Sequence, residues 1–491
     1  MKRFAWLLSV ALFSSAIAQY PGAQPVPSDY KAGFDAILKE DIKKWIEYLA
    51  GPECEGRGTG QPGYKKAADY VAGYLQRFGA KPLGDNGSYF QHVPFFEARA
   101  DNAKTFMAFN NLKLSAGREI NVLSGAGMGE EEAEIVFVQG GGDARLEPNE
   151  GFSGKIVIVF GKNVNPQLRR QTTFGSLASF TVVEKLGETT WTLARGPIPD
   201  KPPTGIGAVR GEITLEAAQR LAKALGVPDS IAQMPDLSKG AFANRFVATE
   251  KVKITTASEF RAAFVANVVG IIEGSDPELK AEFVGVGAHL DHLGKRGNVV
   301  FWGADDDASG CAAVLGVAKG LHENPNKPKR SVILMFFAAE EAGLIGSRYL
   351  TDNPTFDLSK MTSEFQLDMV GRNEENRTEK ASDNEDTIHL VGTRRVSNDI
   401  HDLMQEANKY VNFKFEYDEE DVYGRSDHIN FARKGIPIAF LFSGFHPDYH
   451  QPGDTVDKIN FDKATNASKL AYIAVSMSAN RTEPFKKIEG N

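Results

Sequence analysis

The chain has 491 residues, too many for one ordinary core and enough for two or three domains. With 42% hydrophobic and 24% charged residues it has the composition of a soluble globular protein. The formal charge is −8 and no basic run stands out, which leaves nucleic-acid binding without support.

The chain opens on a processing signal. Lys2 and Arg3 form a basic start, residues 5–13 an apolar run, and Ala16-Ile17-Ala18 a small-residue cleavage site, so residues 1–18 read as a signal peptide. The apolar run is well short of the roughly 20 residues that span a bilayer. No cysteine follows the cleavage site to carry a lipid, so the expectation is export to periplasm or medium without a membrane anchor. Loss of Lys2 and Arg3 takes the charge from −8 to −10.

Residues 19–101 read as the N-terminal part of the main domain. A Pro-, Gly- and Ala-rich tail (19–27) precedes a helix beginning at Asp41. A second helix, 64–78, places Ala67, Tyr70, Val71, Tyr74, Leu75 and Phe78 on one face, and Gly79 supplies its stop. Between 102 and 258 the texture changes to short β-rich runs, 134–139 and 155–160, separated by Gly- and Pro-containing loops. The only strongly helical stretch expected there is 215–225. No polar motif in this region has metal-ligand spacing, and it reads as an inserted β-rich domain.

From 259 to 491 apolar strands alternate with helices. Strands are expected at 268–272, 283–288, 331–338, 364–369, 387–392 and 438–443, with helices such as 309–322 and 398–409 between them. This predicts an α/β fold, a mostly parallel mixed sheet covered by helices on both faces. Cys54 and Cys311 are the only cysteines, too few for a disulfide framework, and Cys311 reads as a buried thiol within a helix.

Four of these strands end in polar residues. The first runs into His289-Leu290-Asp291-His292, another into Glu340-Glu341, a third carries Asp368, and the last leads to His446 and His450. The segment Gly303 to Gly310, with Asp305-Asp306-Asp307 at its centre, opens the helix after the first. Open α/β sheets bind ligands beyond the carboxyl ends of their strands. Zinc takes His nitrogen and carboxylate oxygen, and a two-zinc site needs about two histidines, two terminal carboxylates, a bridging carboxylate and a free carboxylate base. The inventory matches that set without deciding which residue does which job.

These stretches, with Glu55-Gly56-Arg57-Gly58-Thr59-Gly60, Gln366 to Gly371, Ser426-Asp427-His428 and His450 through Asp454-Thr455, resemble the bacterial double-zinc aminopeptidases that carry a protease-associated domain insertion. The resemblance implies two Zn2+ per chain. His289 and Asp368 would bind one and Glu341 and His450 the other, with Asp306 bridging. Glu340 would be the general base, taking a proton from the attacking water. Asp291 would orient His289 by accepting its second ring N–H. Tyr423 would help to hold the oxyanion. The implied substrates are peptides, released of single N-terminal residues, and carboxylates beside the metals, Asp305 and Asp307 among them, would receive the free α-ammonium. Three other readings share the scaffold: a carboxypeptidase or dipeptidase, for which Arg425 could grip a substrate carboxylate; a one-zinc glutaminyl cyclase, against which the full ligand set argues; and a non-catalytic receptor-like protein, which would have lost ligands. Neither oligomeric state nor preferred N-terminal residue is legible.

Overall fold

The computed structural model describes residues 19–124, 127–140, 144, 146, 151–200, 205–206, 208–234, 243–417 and 420–488. The signal segment, 1–18, lies outside the described residues. The chain forms two compact units, one made of the residues up to Val93 together with Phe264–Asn491, the other of Pro94–Ala263.

The first unit is built on a nine-stranded sheet. Its strands are β1 (Lys81–Pro82), β2 (Phe90–His92), β3 (Ala266–Ile272), β4 (Phe283–His289), β5 (Ser331–Phe337), β6 (Met361–Leu367), β7 (Thr387–Val391), β8 (Lys414–Glu416) and β9 (Ile438–Phe442). They run in the order β1-β3-β5-β4-β6-β9-β7-β8, with β2 also on β3. The sheet is mixed, as expected, with a parallel centre and antiparallel margins. β5, β4, β6 and β9 form a parallel centre and β7 pairs parallel with β8, but β1, β2 and β5 meet β3 antiparallel and β9 meets β7 antiparallel. Strand direction at the margins is set by how the chain returns, which apolar patterning does not encode.

β5 shows why the centre is parallel and buried. Every residue of Ser-Val-Ile-Leu-Met-Phe-Phe is buried, so both faces of the strand are covered. On one face Ile333, Met335 and Phe337 pack with Leu350 and Phe431, which come from helices Ile345–Asp352 and His428–Ala432. Helices α1 (Gly310–Glu323) and α2 (Phe461–Asn480) pack on each other and on β4. Their close approach depends on glycine. A Cβ at Gly316 would sit 2.1 Å from Ser468 Oγ, and one at Gly320 2.7 Å from the Tyr472 ring. Strand register brings the functional ends level: His289 lies opposite Phe337, and Gly287 opposite Gln366, two residues before Asp368.

The second unit holds an eight-stranded sheet and a three-stranded sheet, the latter pairing Phe95–Ala100 with Ser258–Ala262 and Thr192–Arg195. Its core includes Ile135, Phe137, Ile158, Phe180, Leu221 and Ile254. Helix Leu215–Ala224 is capped by Thr214, whose side chain accepts from Ala217 N. A second helix, Pro166–Thr173, was not expected. Asn165 caps it at 2.8 Å from Leu168 N and proline starts it. Its short apolar face gave no helical period to read, although Asn-Pro is itself a helix-start signal.

In the first unit one side chain ties the N-terminal segment to the strand-end loops. Arg57 is fully buried and donates to the carbonyls of Leu290 (2.9 Å), Leu49 (2.7 Å), Trp302 (3.1 Å), Gly303 (2.8 Å) and Asp306 (3.3 Å). A planar fork of five N–H donors suits this role and a lysine ammonium does not. Each buried carbonyl stripped of its donor costs about 1–3 kcal/mol. Arg57→Met is therefore expected to lower unfolding stability by at least about 3 kcal/mol, with Arg57→Lys recovering only part of it. Denaturant unfolding followed by tryptophan fluorescence checks this, and a loss below 1 kcal/mol would contradict it.

Candidate metal centre

The polar strand ends converge on one pocket. Asp306 lies at its middle, and its two carboxylate oxygens face different histidines. Oδ1 is 3.1 Å from His289 Nε2, while Oδ2 is 3.2 Å from His450 Nε2 and 3.6 Å from His292 Nδ1. Asp368 Oδ1 lies 3.5 Å from His289 Nε2. Glu341 closes the other side, with Oε2 3.2 Å from His450 Nε2 and Oε1 2.8 Å from His292 Nδ1. The structure thus brings His289, Asp306, Glu341, Asp368 and His450 together, and adds His292, which sequence reasoning left without a role.

A second layer of carboxylates holds backbone. Asp307 accepts from the amides of His289 (3.1 Å), Gly310 (2.9 Å) and Met369 (3.1 Å). Asp305 accepts from Gly371 N at 2.7 Å and faces His446 Nε2 at 3.3 Å. Asp454 receives the amides of Asp305 and Asp306, each at 3.1 Å. Asp305 and Asp307 have no exposed surface and do not line the cleft, so neither can receive a substrate ammonium. Three consecutive aspartates read as one acidic patch in the sequence, but only the middle one points into the pocket.

Asp291 orients His289 differently from the expectation. His289 Nδ1 meets the backbone carbonyl of Asp291 at 2.9 Å, whereas the Asp291 carboxylate accepts from Thr59 Oγ1 (2.6 Å) and from the amide of Glu340 (2.9 Å). The side chain therefore places the candidate base, and the main chain sets the histidine tautomer. Ser426, first residue of the Ser-Asp-His motif, donates to Asp368 Oδ2 at 2.6 Å. His428 stacks on Phe440 at 4.6 Å with Nε2 2.7 Å from Tyr423 O. Burial pushes the His428 pKa down to about 3, so it stays neutral.

The cleft over the pocket is lined by Glu340, His289, Asp306, Asp368 and His450, by Met369, Val422, Phe440, Phe442 and Phe445, and by Arg425 and Tyr449. Burial holds the Glu340 carboxyl well above the usual carboxylate range against the pull of His289, and Asp427, Asp368 and Glu341 add to the rise. Tyr423 is not among the lining residues; its ring is under Arg395, 4.2 Å from the guanidinium. Tyr449 is the cleft tyrosine. Its ring stacks on His450 at 3.9 Å, its hydroxyl accepts from Arg425 Nη2 at 3.3 Å, and burial raises its pKa so that it remains a neutral donor.

The donor set fits a cation. His292 Nδ1, Asp306 Oδ2 and Glu341 Oε1 are buried and have no hydrogen-bond partner, although they lie only 2.8–3.6 Å from their neighbours in the pocket. Ligands sharing one tetrahedral zinc at bonds of about 2.0–2.2 Å stand about 3.3–3.6 Å apart. Five of the six separations, 3.1–3.6 Å, are close to that spacing, and the sixth, His292 Nδ1 to Glu341 Oε1, is shorter at 2.8 Å.

Comparison with known proteins agrees with this chemistry. Residues 267–475 match the sequence profile described as Peptidase family M28. Leupeptin-inactivating enzyme 1 of Streptomyces exfoliatus is 27% identical over 242 residues, covering 44% of this chain and 50% of that protein. Aminopeptidase YwaD of Bacillus subtilis (strain 168) is 28% identical over 231 residues, covering 45% and 47%. The chain thus spans about half the length of the curated relatives it matches. The solved aminopeptidase from Aneurinibacillus sp. strain AM-1 shares the fold, with a TM-score of 0.51 at 21% identity over 94% of this chain and 99% of its own. The strand-end residues from His289 to His450 thus fall inside 267–475, the stretch that is similar to Peptidase family M28.

Proposed function

We propose that the protein is an exported zinc aminopeptidase that holds two Zn2+ and releases single residues from the N-termini of peptides. The observation that carries this reading is the division of Asp306 between two histidines, with Glu340 beside it in an apolar cleft. One position is assigned to His289, Asp368 and Asp306, the other to Asp306, Glu341 and His450. Zinc bound there supplies Lewis acidity, lowering the pKa of water and polarising a carbonyl. Relatives are named aminopeptidases, which supports attack from the N-terminus.

The chain's own groups do the rest. Glu340 accepts the proton of the attacking water and returns it to the departing amine, and Asp291 fixes its backbone for that transfer. The oxyanion contact first expected of Tyr423 is assigned to Tyr449, which reaches the cleft as a neutral O–H donor. Phe440, Phe442, Phe445, Met369 and Val422 supply an apolar wall for the side chain of the N-terminal residue. The unit Pro94–Ala263 is taken as a protease-associated-like domain, since every assigned ligand lies in the other unit. Export rests on residues 1–18 alone; among the described residues no helix is long and apolar enough to cross a membrane.

Arg425 at the cleft supports a second reading, a carboxypeptidase in which it binds a terminal carboxylate. A panel of arylamides separates the two. Leucyl-arylamide is expected to be cleaved, with kcat/KM about 10–200-fold above the glutamyl compound because of the apolar wall. N-acetyl-leucyl-arylamide is expected to be untouched. Release of C-terminal residues from blocked peptides at comparable rates would make the protein a carboxypeptidase.

Glu340→Gln is expected to retain both zincs and lose about 10²–10⁴ in kcat. Turnover within a few-fold of the parent would remove Glu340 from the role of base. Asp306→Ala is expected to deplete both metal positions, whereas His450→Ala depletes one preferentially. Elemental analysis after dialysis decides, and full zinc in the Asp306 variant would exclude a shared ligand.

A further inference from the structure

We propose that His292 Nδ1 is a further zinc ligand, so that the position held by Asp306, Glu341 and His450 is closed by four protein side chains, while the position of His289 and Asp368 keeps an open place facing the cleft. The inference rests on the ligand reading given above and concerns how the two positions differ.

The argument begins with what the ring does not do. His292 has no exposed side-chain surface, and neither of its ring nitrogens has a hydrogen-bond partner. Nδ1 is nevertheless 2.8 Å from Glu341 Oε1 and 3.6 Å from Asp306 Oδ2. Glu341 Oε1 is likewise buried without a hydrogen-bond partner, and His292, Asp306 and Glu341 offer three ligand atoms within 4.8 Å of one another. Three ligand atoms gathered this closely point at a common centre. His450 Nε2 shares that centre, 3.2 Å from each of Asp306 Oδ2 and Glu341 Oε2.

The backbone holds the imidazole in place for this. His292 N donates to Arg57 O at 3.2 Å, within the segment that the buried Arg57 anchors. The ring lies against Gly303, where a Cβ would come within 2.6 Å of His292 Cγ and Cδ2. A side chain at Gly303 would displace the ring from the pocket.

Two imidazoles and two carboxylates complete a tetrahedral zinc site, the closed arrangement that binds without leaving a place for water. The other position, with His289, Asp368 and one oxygen of Asp306, is one ligand short of closure. The two zincs therefore have unequal parts: the closed one stays, and the open one exchanges and faces substrate.

X-ray absorption of the full-length metal-free protein reloaded with one equivalent of zinc tests this without any variant. Two imidazoles per zinc are expected at one equivalent, falling to an average of one and a half at two equivalents. His292→Asn, checked for folding by near-ultraviolet circular dichroism, should show one imidazole at one equivalent. It should also lose the first zinc to a competing chelator at least about tenfold more readily. One imidazole per zinc in the parent protein overturns the inference and leaves the proposed function intact. Failure of the parent to bind zinc at all overturns both.

Discussion

The rest of the first unit is organised around carboxylates taken out of water. Asp305, Asp306, Asp307, Asp291, Asp427 and Asp454 are all buried, and Glu340 and Asp368 nearly so. An isolated buried carboxylate costs several kcal/mol even after relaxation, so such a cluster persists only if each member has a compensating partner. Asp307 and Asp454 are compensated by amides, whereas Asp305 Oδ2 and both oxygens of Asp427 have no hydrogen-bond partner and burial raises the Asp427 pKa to about 7. Asp307 alone takes three backbone N–H groups, and Asp454 takes the amides of Asp305 and Asp306. The inner members, Asp306 and Glu341, each keep an oxygen that nothing in the protein satisfies. The amide-held aspartates shape the loops, and Asp306 and Glu341 are left facing the histidines of the pocket.

This division explains why the first unit needs its distant N-terminal segment. The amides that neutralise the outer aspartates belong to loops that would otherwise be free to open. Arg57 supplies their counterpart, five N–H donors spread over carbonyls from Leu49 to Asp306. Thr59, two residues on, donates to Asp291, and Asp291 in turn holds the amide of Glu340. A single short segment thus reaches the main chain of Asp306 directly and that of Glu340 through Asp291.

How much of this was legible in the sequence follows from the range of each interaction. The central strands were readable because burial on both faces leaves an apolar run, and 331–338 was read nearly as the observed Ser331–Phe337. The polar residues gathered at those strand ends were readable for the same reason, since charge after such a run is conspicuous. Choices within a motif were not. Asp291 uses its carbonyl toward His289 and its carboxylate elsewhere, and no spacing distinguishes the two. Tyr423 and Tyr449 both precede motif residues closely, and only the path of the loop after β9 brings the second to the cleft. The sequence assigns His292 no role, because spacing does not show that its neighbours leave it without a hydrogen bond.

The same loop after β9 also connects metal binding to substrate recognition. His450 has a positive φ of 56°, and Tyr449 stacks on its ring at 3.9 Å. Tyr449 accepts from Arg425, and Arg425 lies over Phe445 in the apolar wall. His450, Tyr449, Arg425 and Phe445 therefore form one packed series. A side chain seated against Phe445 bears on the residues that orient His450, so discrimination between N-terminal residues and the geometry of the metal pocket are set by the same contacts. On the proposed function, changes in the wall would be felt in turnover as well as in binding.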